Sequence, residues 1–230
     1  MSGKITAVIV AAGSGTRMGG KINKVFMPLG DSAVIDYAVE AAADCKLVDD
    51  IVIVTRECDV LECMEHIQHI KKSVKIVKGG ATRQDSVRFG LSEAAGADFV
   101  AIHDGARALV TPGIFSEVIK EAKIYGAAAC GTAVTDSLKK VNSDGFITET
   151  VRRENIYAIQ TPQVFDYNKI LFAHQKAAAD GFFATDDCAL YEKYVGKVRF
   201  VEGSYENIKL TTPEDMIIAE NILKKRNGLI

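Results

Sequence analysis

An α/β fold, built on a mostly parallel twisted sheet with helices on both faces, is the architecture this sequence predicts. Two observations carry the prediction. Short β-branched or apolar runs alternate with segments of helical periodicity along the whole chain. Alternation of that kind arises when parallel strands are joined by crossover helices. The second observation is size: 230 residues at 48% hydrophobic content suffice for one large core. No Pro/Ser-rich linker or low-complexity run divides the chain, so one domain over residues 1–230 is expected.

The strands are predicted at 5–10, 51–54, 73–77, 99–103, 127–134 and 198–202. Each is a compact apolar run, rich in Val, Ile or Ala, of the length a buried strand needs. Helices are predicted at 32–43, 59–71, 85–95, 112–125, 167–179 and 213–225, where apolar residues recur at helical spacing. One region breaks the alternation. Residues 137–141 and 146–151 flank Asn142-Ser143-Asp144-Gly145, a turn-forming cluster, so a β-hairpin is expected. Its side chains alternate less cleanly than those of a hairpin buried on one face. A subunit-contacting arm at about 135–155 and a plain surface hairpin both fit that pattern.

Composition excludes several classes. The net charge of −2 argues against broad nucleic-acid binding, so any anion must be held locally. No apolar stretch reaches the about 20 residues of a membrane span. The first strand begins at once, so no signal peptide is expected. Five scattered cysteines (Cys45, Cys58, Cys63, Cys130, Cys188) favour free thiols in a reducing cytoplasm over a disulfide framework. Cys58, Cys63, His66 and His69 invite a metal reading. Val60, Leu61, Met64, Ile67 and Ile70 recur there at helical spacing, however, and the usual zinc-ligand spacing is missing. An amphipathic helix carrying histidines is the better reading.

Ligands of parallel α/β sheets gather beyond the carboxyl ends of the strands. Three candidate motifs fall there: Ala11–Arg17, Gly79–Ser86 and Asp104–Arg107. In the first, the small residues Ala11, Ala12, Gly13, Ser14 and Gly15 let backbone N–H groups approach an anion, and Arg17 and Lys24 add positive charge where a polyphosphate would lie. Two decoys are rejected. A P-loop needs Ser or Thr after Lys21, where this chain has Ile22. A dinucleotide fingerprint needs its third glycine where this chain has Met18, and its acidic residue at the end of a second strand is missing.

Six motifs, in order and spacing, carry a resemblance over nearly the whole chain. They are Ala11-Ala12-Gly13-Ser14-Gly15-Thr16-Arg17-Met18 with Asn23-Lys24, Gly79-Gly80-Ala81-Thr82-Arg83-Gln84-Asp85-Ser86, and His103-Asp104-Gly105-Ala106-Arg107. Then follow Thr161-Pro162-Gln163, Thr185-Asp186-Asp187, and the run from Val201 through Lys209 to Asp215. The chain resembles the 2-C-methyl-D-erythritol 4-phosphate cytidylyltransferases of non-mevalonate isoprenoid biosynthesis. The resemblance implies a Rossmann-like nucleotidyltransferase fold with a protruding β-hairpin arm. It implies transfer of a cytidylyl group from CTP to methylerythritol phosphate, with Mg2+ or another divalent cation.

Roles follow by the same resemblance. Ala11 to Gly15 would wrap the triphosphate, with Arg17, Lys24 and Lys209 as the catalytic cations. Gly80, Ala81 and Ser86 would read the cytosine edge, with Gly105 also at the nucleotide, and Arg83 would either contact the phosphates or cap the loop. Asp104, at a strand's carboxyl end, would hold the metal. Arg107, Asp136, Ser137 and Arg153 would bind the polyol phosphate, Thr185 and Asp186 would contact it or support the loop beneath it, and the arm would join two subunits in a homodimer. His103 ends an apolar strand and is read as structural. Three positions depart from the family pattern: Asn23 and Ala108 stand where proline is usual, and Ser137 where threonine is. Ribitol 5-phosphate cytidylyltransferases share most of these motifs, but Gly105-Ala106 and Ser204-Tyr205 resemble the isoprenoid branch more closely. A nucleotide-binding regulator without catalysis is the alternative of another class; the intact set Arg17, Lys24, Asp104 and Lys209 argues against it.

Overall fold

The computed structural model of the chain describes residues 3–13 and 23–229. Among these residues the strands are β1 (Ile5–Val10), β2 (Pro28–Leu29), β3 (Ser32–Ala33), β4 (Asp50–Thr55), β5 (Ser73–Lys78) and β6 (Phe99–Asp104). They continue as β7 (Ala127–Ala133), β8 (Leu138–Val141), β9 (Ile147–Val151), β10 (Tyr157–Asp166) and β11 (Arg199–Glu202). The helices are α1 (Val34–Asp44), α2 (Val60–His66), α3 (Arg83–Glu93), α4 (Pro112–Tyr125), α5 (Tyr167–Ala179), α6 (Asp187–Tyr194) and α7 (Pro213–Arg226).

Seven strands form the central sheet in the order β11-β7-β10-β6-β1-β4-β5. The neighbours pair in parallel except at β10, which runs antiparallel to both β6 and β7. The sequence explains the double burial. Along β1, Ile5, Ala7 and Ile9 join one hydrophobic cluster with Ile35 and Val39 of α1 and Phe115, Val118 and Ile119 of α4. Val8, of opposite parity, joins a second cluster with Val87 and Leu91 of α3, Ile170 of α5 and Leu190 of α6. A strand apolar at all but one position, Thr6, fits two covered faces. A smaller third cluster seats α7 through Ala219 against Leu29, Val34 and Leu109.

Several expectations need correction. The helix predicted from residue 32 starts at Val34, because Ser32 and Ala33 pair with Leu29 and Pro28 in a tight two-stranded turn. The helix predicted over 59–71 ends at His66. A turn follows it, closed by Ile70 N–H donating to the Ile67 carbonyl at 3.0 Å. Ile67 and Ile70 still pack on the core, so their spacing records burial and not helix. In place of a metal cluster, His66 meets Asp36 at 3.0 Å and His69 meets Glu40 at 2.9 Å, while Cys63 is buried and its thiol pushed up to about 12 by that burial. The sequence reading missed β10 and α6 altogether. The former buries Gln160, Thr161 and Gln163 beside Pro162 in mid-sheet, a pattern that argues against a central strand. The ladder to β7 accommodates the proline by shifting register between Ile159 and Gln163.

The hairpin forms as expected. β8 and β9 pair antiparallel as a separate two-stranded sheet, Leu138 opposite Val151 and Lys140 opposite Glu149. Its root is tied where Val134 N–H donates to the Ile156 carbonyl at 3.0 Å, next to the Ala133–Tyr157 pair of β7 and β10. Val141, Phe146 and Ile147 on it are exposed.

Candidate active site

Strands β1 and β6 end level, Val10 opposite Asp104. Beyond their carboxyl ends lies a cleft of about 380 Å³. The loops leaving the sheet here are pinned by backbone bonds: Ala11 N–H to Val54 O at 2.7 Å, Gly79 N–H to Thr55 O at 2.8 Å and Gly105 N–H to Val10 O at 2.9 Å. Glycine is required at residues 79 and 80. A Cβ on Gly79 would lie 2.3 Å from the Ala12 Cβ, and one on Gly80 2.3 Å from the Asp85 Cβ. The first loop and the glycine turn are thus pressed together. Ser86, in the first turns of α3, accepts from Gly80 N–H at 3.1 Å and donates to the Thr82 carbonyl at 2.9 Å, fixing the turn's shape.

A web of charge crosses the floor. Thr82 caps α3 by accepting from Asp85 N–H at 3.0 Å, and this cap starts the helix at Arg83. Arg83 Nε donates to Asp104 Oδ1 at 3.0 Å and its Nη1 to Asp187 Oδ2 at 2.9 Å. Lys209 Nζ donates to Asp104 Oδ2 at 2.7 Å. Behind Asp187, buried His174 meets Oδ1 at 3.0 Å. Burial works against the Asp104 carboxylate, but the Arg83 and Lys209 charges outweigh it and hold the group well below the usual range. Asp187 is held low in the same way, chiefly by Arg83. Burial opposes the charge on Arg83 too, yet Asp187 and Asp104 raise its proton affinity. The floor is therefore ionised and nearly balanced, and Lys24 is half-buried in the wall above it.

His103, next to Asp104, is wholly buried and structural. The Thr161 hydroxyl accepts from Asp104 N–H at 3.0 Å, so its own proton goes to His103 Nδ1, also at 3.0 Å. Nε2–H then donates to the Arg107 carbonyl at 3.3 Å. Burial holds this imidazole neutral, with its pKa pushed down to about 4. The unfolded chain takes up that proton near pH 6.5 and the folded chain does not. Folding stability is expected to fall as pH drops from about 6.5 to about 4, with a slope of up to about 1.4 kcal/mol per pH unit. Denaturant melts across this range check it: His103→Gln should flatten the slope, and an unchanged slope would remove His103 as its source.

The cleft is lined by Ala11, Ala12, Gly13, Lys24, Gly80, Ala81, Arg83, Ser86, Asp104 and Lys209, all singled out from the sequence. Ser14, Gly15 and Arg17 lie outside the described residues. Gly105 supports the floor from beneath through its bond to Val10. Arg107 is half-buried and donates from Nη1 to the Asn207 carbonyl at 2.7 Å, off the cleft wall. Asp186 caps α6, accepting from Ala189 N–H at 3.0 Å, and takes a bond from Gln163 at 3.0 Å. Thr185 beside it is exposed. Asp136, Ser137 and Arg153 lie near the foot of the hairpin, exposed and not part of the cleft wall. Arg153 donates to the Thr135 carbonyl. Sequence reasoning missed the supporting polar groups. Asn207 is buried and donates to the Thr161 carbonyl at 3.0 Å and to Gln160 at 3.2 Å, and Gln163 accepts from the N–H groups of Asp187 and Cys188. Their motifs stood out, but a side chain that props a backbone has no chemical signature of its own.

A cation-lined cleft at the carboxyl edge of a doubly covered, mostly parallel sheet defines a nucleotidyltransferase. The sequence profile of the 2-C-methyl-D-erythritol 4-phosphate cytidylyltransferase family matches residues 5–225, and the chain belongs to that family. Among curated relatives, the 2-C-methyl-D-erythritol 4-phosphate cytidylyltransferase of Clostridium novyi is 43% identical over 96% of this chain and 97% of its own. That of Caldanaerobacter subterraneus is 45% identical over 96% and 99%. Among solved structures, the 4-diphosphocytidyl-2C-methyl-D-erythritol synthase of Anaerococcus prevotii superposes with a TM-score of 0.88 at 30% identity, covering 97% of both chains. The cytidylyltransferase from Thermus thermophilus superposes at 0.79 with 28% identity, covering 96% and 99%.

Proposed function

We propose that the chain transfers the cytidylyl group of CTP to the phosphate of 2-C-methyl-D-erythritol 4-phosphate and releases pyrophosphate. Membership of the family supports this reading. The observation that carries the site assignment is that Lys24 and Lys209, from opposite ends of the sequence, line one cleft around the ionised Asp104. A phosphate oxygen of the acceptor attacks the α-phosphorus, the α–β anhydride bond breaks, and pyrophosphate departs. Little proton chemistry is needed, so positioning and charge dominate. Lys24 and Lys209, together with Arg17, neutralise the α-phosphate and the leaving group. Ala11, Ala12, Gly13, Ser14 and Gly15 offer backbone amides to the phosphates. Gly80, Ala81 and Ser86 face the base, and Arg83 and Gly105 hold the floor beneath the nucleotide.

Magnesium or another divalent cation fits the residues present. Asp104 offers ionised hard oxygens, and among the described residues no group of three or more His, Cys, Asp or Glu side chains could hold a metal. Asp104 would therefore hold it jointly with the nucleotide's phosphates, as magnesium prefers. When bound, the metal supplies Lewis-acid neutralisation of phosphate charge.

Arg107, Asp136, Ser137, Arg153, Thr185 and Asp186 are assigned to the polyol phosphate. The exposed arm residues, off the cleft wall in one chain, favour a homodimer in which the arm at about 135–155 meets a second subunit. One domain over 1–230 carries all these parts. A cytoplasmic location is supported by the free cysteines, four of them buried. Among the described residues no helix is long and apolar enough to cross a membrane.

Pyrophosphate release from CTP, assayed with a panel of polyol phosphates, tests the reading. Release with methylerythritol 4-phosphate is expected. Turnover with ribitol 5-phosphate alone would reassign the acceptor, and CTP binding without release on any acceptor would make the protein a regulator.

A further inference from the structure

Asn23 is an amide in an unusual place. It is 1% exposed, directly precedes Lys24, and has all its side-chain groups committed. Oδ1 accepts from Val25 N–H at 3.4 Å and opens the short 3-10 turn Lys24–Phe26. Nδ2 donates twice, to the Ala11 carbonyl at 2.8 Å and to Asp59 Oδ2 at 2.9 Å. The two acceptors on one side and the donor on the other allow only this orientation of the amide. Asp59 is itself 5% exposed. It is held by Arg56, whose Nη2 donates to Oδ1 at 2.8 Å, and by the Cys58 thiol at 3.4 Å. Burial would raise its carboxyl, but Arg56 and Asn23 bring it below the usual range.

These bonds join three segments: the exit of β1, the start of α2, and the turn bearing Lys24. Ala11 is also tied on its other side, its N–H donating to Val54. The cleft wall thus has a backbone anchor at Ala11 and a cation at Lys24, with one buried amide setting the distance between them. A flexible lysine gains most from such anchoring at its backbone, because electrostatic stabilisation of a transition state depends on charge held in place beforehand.

We propose that Asn23 is a positioning residue for the reaction: through Ala11 and Asp59 it fixes the Lys24 backbone against the phosphate-facing wall. The proposal rests on the assignment of Lys24 to the triphosphate.

A double-mutant cycle tests it on the full-length protein. Asn23→Ala should lower kcat by about tenfold, with a smaller change in KM for CTP. Because Asn23 acts through Lys24, Asn23→Ala combined with Lys24→Ala should be no slower than Lys24→Ala alone; a purely structural residue would add its loss to that of the lysine. Asn23→Ser keeps an oxygen able to cap Val25 N–H and removes only the amide donors. It should reproduce the loss and the non-additivity, and it takes over the cycle if the alanine variant does not fold. Wild-type turnover in Asn23→Ser, or additive losses in the cycle, would overturn the proposal. Full activity in Lys24→Ala would instead overturn the assignment of the lysine.

Discussion

Asp104→Asn is expected to lower kcat by about a thousandfold, equivalent to about 4 kcal/mol of transition-state stabilisation. The side chain keeps its shape, and the Asp104 N–H bond to Thr161 is a backbone bond that survives. Arg83 retains Asp187 as a charge partner. What disappears is the anion that Arg83 and Lys209 share and that a divalent cation would join. The fold should therefore persist while the chemistry fails. Steady-state kinetics with thermal melts separate the two: a kcat within tenfold of wild type in a well-folded variant would remove Asp104 from the reaction.

Lys24→Ala should lower turnover by about two to three orders of magnitude, the cost of one preorganised electrostatic contact. Two polyanions must approach each other here, so charge matters most as the new bond forms. The loss should then appear in kcat more than in KM for CTP, the pattern of a contact made mainly in the transition state. Lys24→Arg restores the charge in a different shape and should fall between. Near-wild-type turnover in Lys24→Ala would exclude this lysine from the mechanism.

Much of this site was legible in the sequence because its chemistry sits on residues of marked type. Lys24, Asp104 and Lys209 were named from charge and motif, and they line one cleft. The fold was legible for a related reason: β1, β4 and β6 are buried along most of their length and read as largely apolar runs. β10 was not, because this interior strand of the sheet carries Gln160, Thr161, Pro162 and Gln163. Those residues are polar because they serve the site from below, so the feature that hid the strand is part of how it works. α6 was hidden by its brevity, and Asp186, read as a ligand contact, is also its cap. Asn23 read as a departure from pattern, and its partners Ala11 and Asp59 are too distant in sequence for any local rule to pair them.

The hairpin leaves and rejoins the sheet at adjacent rungs, Val134 beside Ile156, on strands already zipped together. Everything between those rungs is an excursion whose ends are fixed by neighbours it does not contribute. A change in its length is expected to leave the register of the seven-stranded sheet unchanged, because the hairpin forms a sheet of its own. The sheet, with the cleft at its edge that holds Lys24, Asp104 and Lys209, is thereby set apart from the excursion that carries Asp136, Ser137 and Arg153, so the two halves of the proposed site rest on separately anchored pieces of backbone.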